Sequence, residues 1–113
     1  MGFSTLKRLT IITEASVKDD IIKHIVSHGA RGYTIDTVYG RGQTGRGLRG
    51  ERGFRDDESL IGDHLRNVKI EVITSKEAAE KILSSVVEKF FTNYAGIAYM
   101  HDVEVVRAEK FVP

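Results

Sequence analysis

Six of the chain's 11 glycines fall between Gly40 and Arg55, interleaved with Arg41, Arg46, Arg49, Arg52 and Arg55 and opposed by the single acid Glu51. Permissive backbone with exposed amides beside guanidinium forks suits a phosphate, because bidentate arginine contacts and close backbone approach become available together. Asp56, Asp57, Glu58 and Asp63 then reverse the sign. Gly40-Arg41-Gly42-Gln43-Thr44-Gly45 matches G-x-G-x-x-G, but that dinucleotide fingerprint needs a helix to open here, and Gly47, Gly50 and Gly53 oppose one. No Walker lysine is present. Three uses remain for the stretch. It can close over a nucleotide or be offered to a protein partner, it can bind RNA as an arginine-glycine segment, or it can be a solvated loop with no ligand. Phe54 is its only aromatic, and 17 Lys+Arg against 16 Asp+Glu leave the whole chain at +1, so nucleic acid is not the expected partner.

The remaining polar residues offer little chemistry. His24 and His28 stand four apart on one predicted helix with no third ligand in view, so a solvated face is expected and no metal. His64 and His101 have no nucleophile to orient, and His101 and Asp102, adjacent in a strand, point to opposite faces. Asp56, Asp57 and Glu58 suit loop solvation or a helix start better than general-base work. There is no cysteine, which excludes disulfides, thiolate metal sites and thiol nucleophiles. No run approaches a membrane span, and Met1-Gly2-Phe3-Ser4 lacks a secretory stretch. The expectation is a soluble, cytoplasmic, non-enzymatic protein of one domain over residues 1–113.

Six elements must hold these residues in place. Leu6 to Thr13 is short and β-branched and reads as a strand. A helix follows, with Ser16 and Asp19 as its N-cap signature, Val17, Ile21, Ile22, Ile25 and Val26 as its apolar stripe, and Gly29 at the left-handed position past its end. Arg31 to Tyr39 is a second strand. A connection without structure from Gly40 to Leu65 separates it from Val68–Thr74, whose alternation puts Val68, Ile70 and Val72 on one face. Thr74 and Glu77 can form a capping box for a second helix that buries Ala78, Ala79, Ile82, Leu83, Val86, Val87 and Phe90, and Phe91 and Tyr94 at helical spacing read as core and subunit contacts. Gly96 to about Val106 is the last strand. The order βαββαβ is that of a ferredoxin-like α+β sandwich with both helices on one sheet face. Thr10, Ile12, Lys69, Glu71, Ile73, Ala98 and Met100 are expected on the other face, a mixture that suits self-association.

Gly32-Tyr33-Thr34, Gly40-Arg41-Gly42, Val68-Lys69-Ile70-Glu71 and Asp102-Val103…Val106-Arg107 resemble the PII signalling proteins, in the same order and over nearly the whole chain. Gly29–Thr34 and Phe91-Thr92-Asn93-Tyr94-Ala95-Gly96-Ile97 look like the carbon-regulatory PII-like branch typified by SbtB. The resemblance implies a homotrimer, an adenine nucleotide (AMP, ADP, cyclic AMP or ATP) in each cleft between neighbours, and a T-loop, here about 40–65, that reports the ligand to a bicarbonate or related anion transporter in the membrane. Bicarbonate is a candidate co-ligand. By position, the nucleotide residues are Gly40, Arg41, Gly42, Gln43, Thr44 and Arg46 at the T-loop base, and Asn93, Tyr94, Ala95, Gly96 and Ile97 in the opposing loop. Arg31, Glu71 and Ile73 would lie near adenine and ribose, and Arg107 matches an arginine that contacts phosphate. Arg49, which can also reach a phosphate, and Arg52, Phe54 and Arg55 are left to face the partner. The chain departs from SbtB-type proteins in lacking the paired-cysteine tail, so redox-controlled hydrolysis is not implied. It departs from nitrogen-type proteins at Thr44, where they carry the glutamine that supports magnesium and 2-oxoglutarate, and the uridylylated tyrosine has no counterpart.

Overall fold

The computed structural model describes residues 2–40, 43–44, 47–48, 60–61 and 64–112, with side chains over 2–40 and 65–112. Strand β1 (Ser4–Thr13) leads through a 3-10 turn (Ala15–Val17) into helix α1 (Lys18–Ser27) and strand β2 (Thr34–Gly40). The short pairs β3 (Gln43–Thr44), β4 (Gly47–Leu48) and β5 (Leu60–Ile61) precede β6 (His64–Thr74), α2 (Lys76–Lys89) and β7 (Gly96–Val105). The antiparallel sheet runs β2-β6-β1-β7, with β5 added beside β6. This is the ferredoxin-like order anticipated from the sequence. β2 and β6 converge on the pair Gly40↔Leu65, and β3 pairs with β4. The expected structureless connection therefore carries short strands. Arg41, Gly42, Gly45, Arg46, Arg49, Gly50, Arg52, Gly53, Phe54, Arg55, Asp56, Asp57, Glu58 and Asp63 lie outside the described residues.

The core forms between the helices and the sheet face carrying Leu9, Ile11, Val68, Ile70 and Val72, against which Val17, Ile21, Ile25, Ile82, Val86 and Phe90 are buried. Phe91 and Tyr94 pack on its margin as expected. Val26 and Val87, assigned to the buried stripes, are instead exposed, because an apolar stripe of 3.6 periodicity is wider than the face the sheet covers.

Both helix starts lie beside their predicted caps. Ser16 donates to Glu14 Oε1 at 2.7 Å and lies in the 3-10 turn, so α1 begins at Lys18 without a side-chain cap and relies on Asp19 and Asp20 to complement its dipole. At α2 the cap is Ser75, whose Oγ accepts from the Ala78 amide at 3.2 Å; Thr74 is the last residue of β6 and buried. The end of α1 is as predicted. Gly29 has φ 93°, and the Gly29 and Ala30 amides donate to the carbonyls of Val26 and Ile25, the Schellman arrangement that a left-handed residue permits.

The register of β7 corrects one expectation. Leu9 pairs with Met100 and Ile11 with Ala98, so Met100 and Ala98 share the core face and pack on the helices. The open face of β7 carries Ile97, Tyr99, His101 and Val103 beside Ile12, Thr10, Arg8 and Leu6. A shift of one residue exchanges every side chain between faces, and Ile-Ala-Tyr-Met is apolar on both. Thr10, Ile12, Lys69, Glu71 and Ile73 do share the open face.

Candidate functional site

The predicted site residues fall at opposite ends of the sheet. At one end, Arg31, Glu71 and Ile73 come together with Arg8, Gly32, Tyr33, Thr34, Lys110 and Phe111 around a cavity of about 250 Å³. The cross-strand pairs Thr34↔Glu71 and Arg8↔Ile73 place β1, β2 and β6 side by side there. The Glu71 carboxylate lies 3.6 Å from Lys69 Nζ and 4.0 Å from Arg8 Nε, while Arg8 Nε is buried without a hydrogen-bond acceptor. Acid, guanidinium and apolar wall within one small cavity suit a heteroaromatic ligand with polar edges.

Lys110 and Phe111 were not anticipated. They reach the cavity because β7 ends at Val105 and Arg107 takes a left-handed conformation, φ 61° and ψ 52°, unusual for a residue with a Cβ. The Lys110 amide then donates to the Arg107 carbonyl at 2.9 Å, winding the 3-10 turn Ala108–Lys110. Arg107 itself does not line the cavity. A strand followed by Arg-Ala-Glu-Lys carries no mark of that turn in its residue types, so counting along the sequence could not foresee which cation arrives.

At the other end lie Gly40, paired with Leu65, and the loop from α2 to β7. Asn93 and Tyr94 donate their amides to the Phe90 carbonyl at 3.2 and 2.9 Å, Ala95 is buried, and Gly96 and Ile97 open β7 opposite Thr13 and Ile12. Leu65 and Ile73 are eight residues apart on β6, roughly 26 Å at a strand's rise. One chain therefore does not bring Gly40 to Arg31, Glu71 and Ile73, and it leaves Gly96 and Ile97, level with Val68 and Lys69, two strands across the sheet from Glu71. Gln43 and Thr44 are described by backbone alone, paired with Leu48 and Gly47.

Gly96 is constrained by its neighbour: a Cβ there would collide with the Phe91 ring. Gly96→Ala is expected to cost about 1–3 kcal/mol in urea unfolding, and Phe91→Ala in the same chain to recover much of the loss.

His28 is exposed as expected, and His24 is partly buried. His24 Nε2 lies 2.6 Å from Ser85 Oγ on α2, and its ring stands edge-on to Phe90 with centroids 5.7 Å apart. The Ser85 hydroxyl also lies 2.9 and 3.2 Å from the Lys81 and Ile82 carbonyls of its own helix, which can accept its proton. Among the described residues no three His, Cys, Asp or Glu side chains gather as metal ligands would. Desolvation holds the His24 pKa below its ordinary value, with the charges of His28 and Lys89 adding to it. The unfolded chain thus takes up this proton near pH ~6.5 and the folded chain only at lower pH, so this contribution to stability is full above that pH and declines below it. His24→Gln is expected to flatten the decline, read as urea midpoints between about pH 7.5 and 5.

The P-II family model, "Nitrogen regulatory protein P-II", matches residues 6–110. The chain belongs to the P-II family. This P-II chain is similar to a PII-like signaling protein from Thermus thermophilus, at 36% identity and TM-score 0.72, with 99% of this chain and 100% of that chain covered. It is also similar to CPII from Thiomonas intermedia bound to ADP and bicarbonate, at 25% identity and TM-score 0.73, with 97% of each chain covered. A further CPII structure, bound to ADP, AMP and bicarbonate, shares the fold at 24% identity and TM-score 0.78, with 99% and 98% covered. No helix among this P-II chain's described residues is long and apolar enough to cross a membrane.

Proposed function

We propose that this P-II chain, a member of the carbon-regulatory PII-like branch, binds an adenine nucleotide in the clefts of a cytoplasmic homotrimer and signals through its T-loop to a bicarbonate or related anion transporter. The observation that carries this reading is the separation of the two groups of site residues along the sheet. A second chain packed on the open face, where Ile97 and Tyr99 leave apolar surface, can set its Gly40 and Asn93–Ile97 against the first chain's Arg31, Glu71 and Ile73. Each cleft then has one contribution from each neighbour.

Adenine and ribose lie in the cavity beside Arg31, Glu71 and Ile73, with Lys110 and Phe111 at its rim. The phosphates face the T-loop base, where Gly40, Arg41, Gly42, Gln43 and Thr44 supply amides and Arg46 or Arg49 supplies charge. The opposing loop Asn93–Ile97 faces the ligand from the neighbouring chain. With Thr44 at the T-loop base and few cations in the opposing loop, AMP, ADP and cyclic AMP bind at least as well as ATP. CPII, similar in fold, has been solved with ADP and bicarbonate, which supports bicarbonate as a co-ligand here. The protein regulates rather than turns over its ligand. Signalling is a population shift: the nucleotide favours the loop-closed state by as much as it binds that state more tightly, and the change governs how Arg49, Arg52, Phe54 and Arg55 meet the transporter.

Calorimetric titration with AMP, ADP, ATP and cyclic AMP tests the reading, and silence for all four at millimolar concentration overturns it. Glu71→Ala is expected to weaken AMP by about tenfold, as loss of a hydrogen bond to a charged group does.

A further inference from the structure

Glu14 is the one buried carboxylate among the described residues, 4% exposed, and among them no cation pairs with it. A carboxylate removed from water without a counter-ion is tolerated only where donors are aimed at it. Two are. The Ala95 amide donates to Oε2 at 3.0 Å and the Ser16 hydroxyl to Oε1 at 2.7 Å, and Thr13 Oγ1 stands 3.5 Å from the Ala95 carbonyl.

The position explains the need. The ladder between β1 and β7 ends at Thr13↔Gly96, where β1 turns away into the 3-10 turn. The Ala95 amide would otherwise be a buried donor without an acceptor, and the Glu14 side chain replaces the carbonyl that a longer strand would have offered. On its other flank the same loop is held by the Phe90 carbonyl, which accepts from Asn93 and Tyr94. The loop is thus fixed between the end of α2 and the start of α1.

We propose that Glu14 is a positioning residue for nucleotide binding: its buried carboxylate, oriented by Ser16, fixes the Ala95 peptide and so presents the backbone of Asn93–Ile97 to the ligand. This rests on the nucleotide reading above and names a residue that touches the loop rather than the ligand. Its residue type, an acid between a strand and a helix, carries no sign of this role.

The test combines AMP and ADP calorimetry with hydrogen exchange at the Ala95 amide, on the full chain and on Glu14→Ala, Glu14→Gln and Ser16→Ala. Glu14→Ala is expected to weaken both nucleotides by about tenfold and to speed exchange at Ala95. Glu14→Gln keeps an oxygen for the Ala95 amide and is expected to restore most of both, which a general loss of folding would not allow; Ser16→Ala is expected to be intermediate. Unchanged affinity in Glu14→Ala with faster Ala95 exchange overturns the positioning role, and so does unchanged exchange. A wild-type chain silent to both nucleotides overturns the nucleotide reading, while faster Ala95 exchange in Glu14→Ala still supports the hold on the loop.

Discussion

Tyr99→Asp is expected to give a folded chain that neither assembles nor binds AMP. Tyr99 is 46% exposed in the single chain, beside Thr10 on the open face, with the pair Ile12↔Ile97 on one side and Arg8↔His101 on the other. Substitution at such a position changes the stability of an isolated chain by about 0.5 kcal/mol or less. In an assembly that covers this face the same carboxylate loses its water, a penalty of several kcal/mol without a partner, repeated in every subunit. Assembly fails first. Nucleotide binding fails with it, because Arg31, Glu71 and Ile73 line their cavity at one end of the sheet, Gly40 stands at the other, and Asn93–Ile97 lie at the start of β7, two strands away from Glu71. Light scattering and AMP calorimetry on one sample decide the matter. A monomer that binds AMP as tightly as the wild type would refute a cleft shared between chains, and an intact trimer would refute the role given to the open face.

Ile70→Ala is expected to remove about 2–5 kcal/mol of stability. Ile70 is fully buried on the strand that joins the two halves of the sheet, paired with Ile11 on one side and Ile35 on the other. The vacated volume is walled by pleated backbone fixed on both edges, so it cannot collapse as a site beneath a loop would. Against the roughly 5–15 kcal/mol that holds a domain folded, this is a large share. Ile70→Val, which removes one methylene, is expected to cost about 0.5–1.5 kcal/mol. Urea unfolding at fixed protomer concentration gives both values, since assembly adds a concentration-dependent contribution. A loss under about 1 kcal/mol for the alanine would contradict the packing at the sheet's centre.

The sequence was most legible where one physical demand acted alone. Val68, Ile70 and Val72 alternate against charged neighbours, so both the strand and its face could be read; Gly29 stands where only a residue without a Cβ is comfortable. It was least legible where two assignments satisfy the same pattern. Ala98 and Met100 alternate with Ile97 and Tyr99, all apolar, and only the pairing of Leu9 with Met100 decides which pair faces the helices. Thr74 and Ser75 are both capping residues, and the choice between them follows from where β6 stops. The site divides in the same way. Arg31, Glu71 and Ile73 could be carried over by position and do line one cavity. Lys110, Phe111 and Glu14 owe their places to a left-handed residue and to the end of a ladder, neither of which has a compositional signature.

The distance between the two ends of the sheet bears on mixtures of intact and damaged chains. If a cleft joins one end of a subunit to the opposite end of its neighbour, a subunit altered only at Glu71 spoils one cleft of the ring and leaves its far end to serve the next. A subunit altered at both Glu71 and Gly96 spoils the clefts on both its sides. Co-expressed with the wild type, the doubly altered chain would interfere out of proportion to its abundance, and the singly altered one would simply dilute.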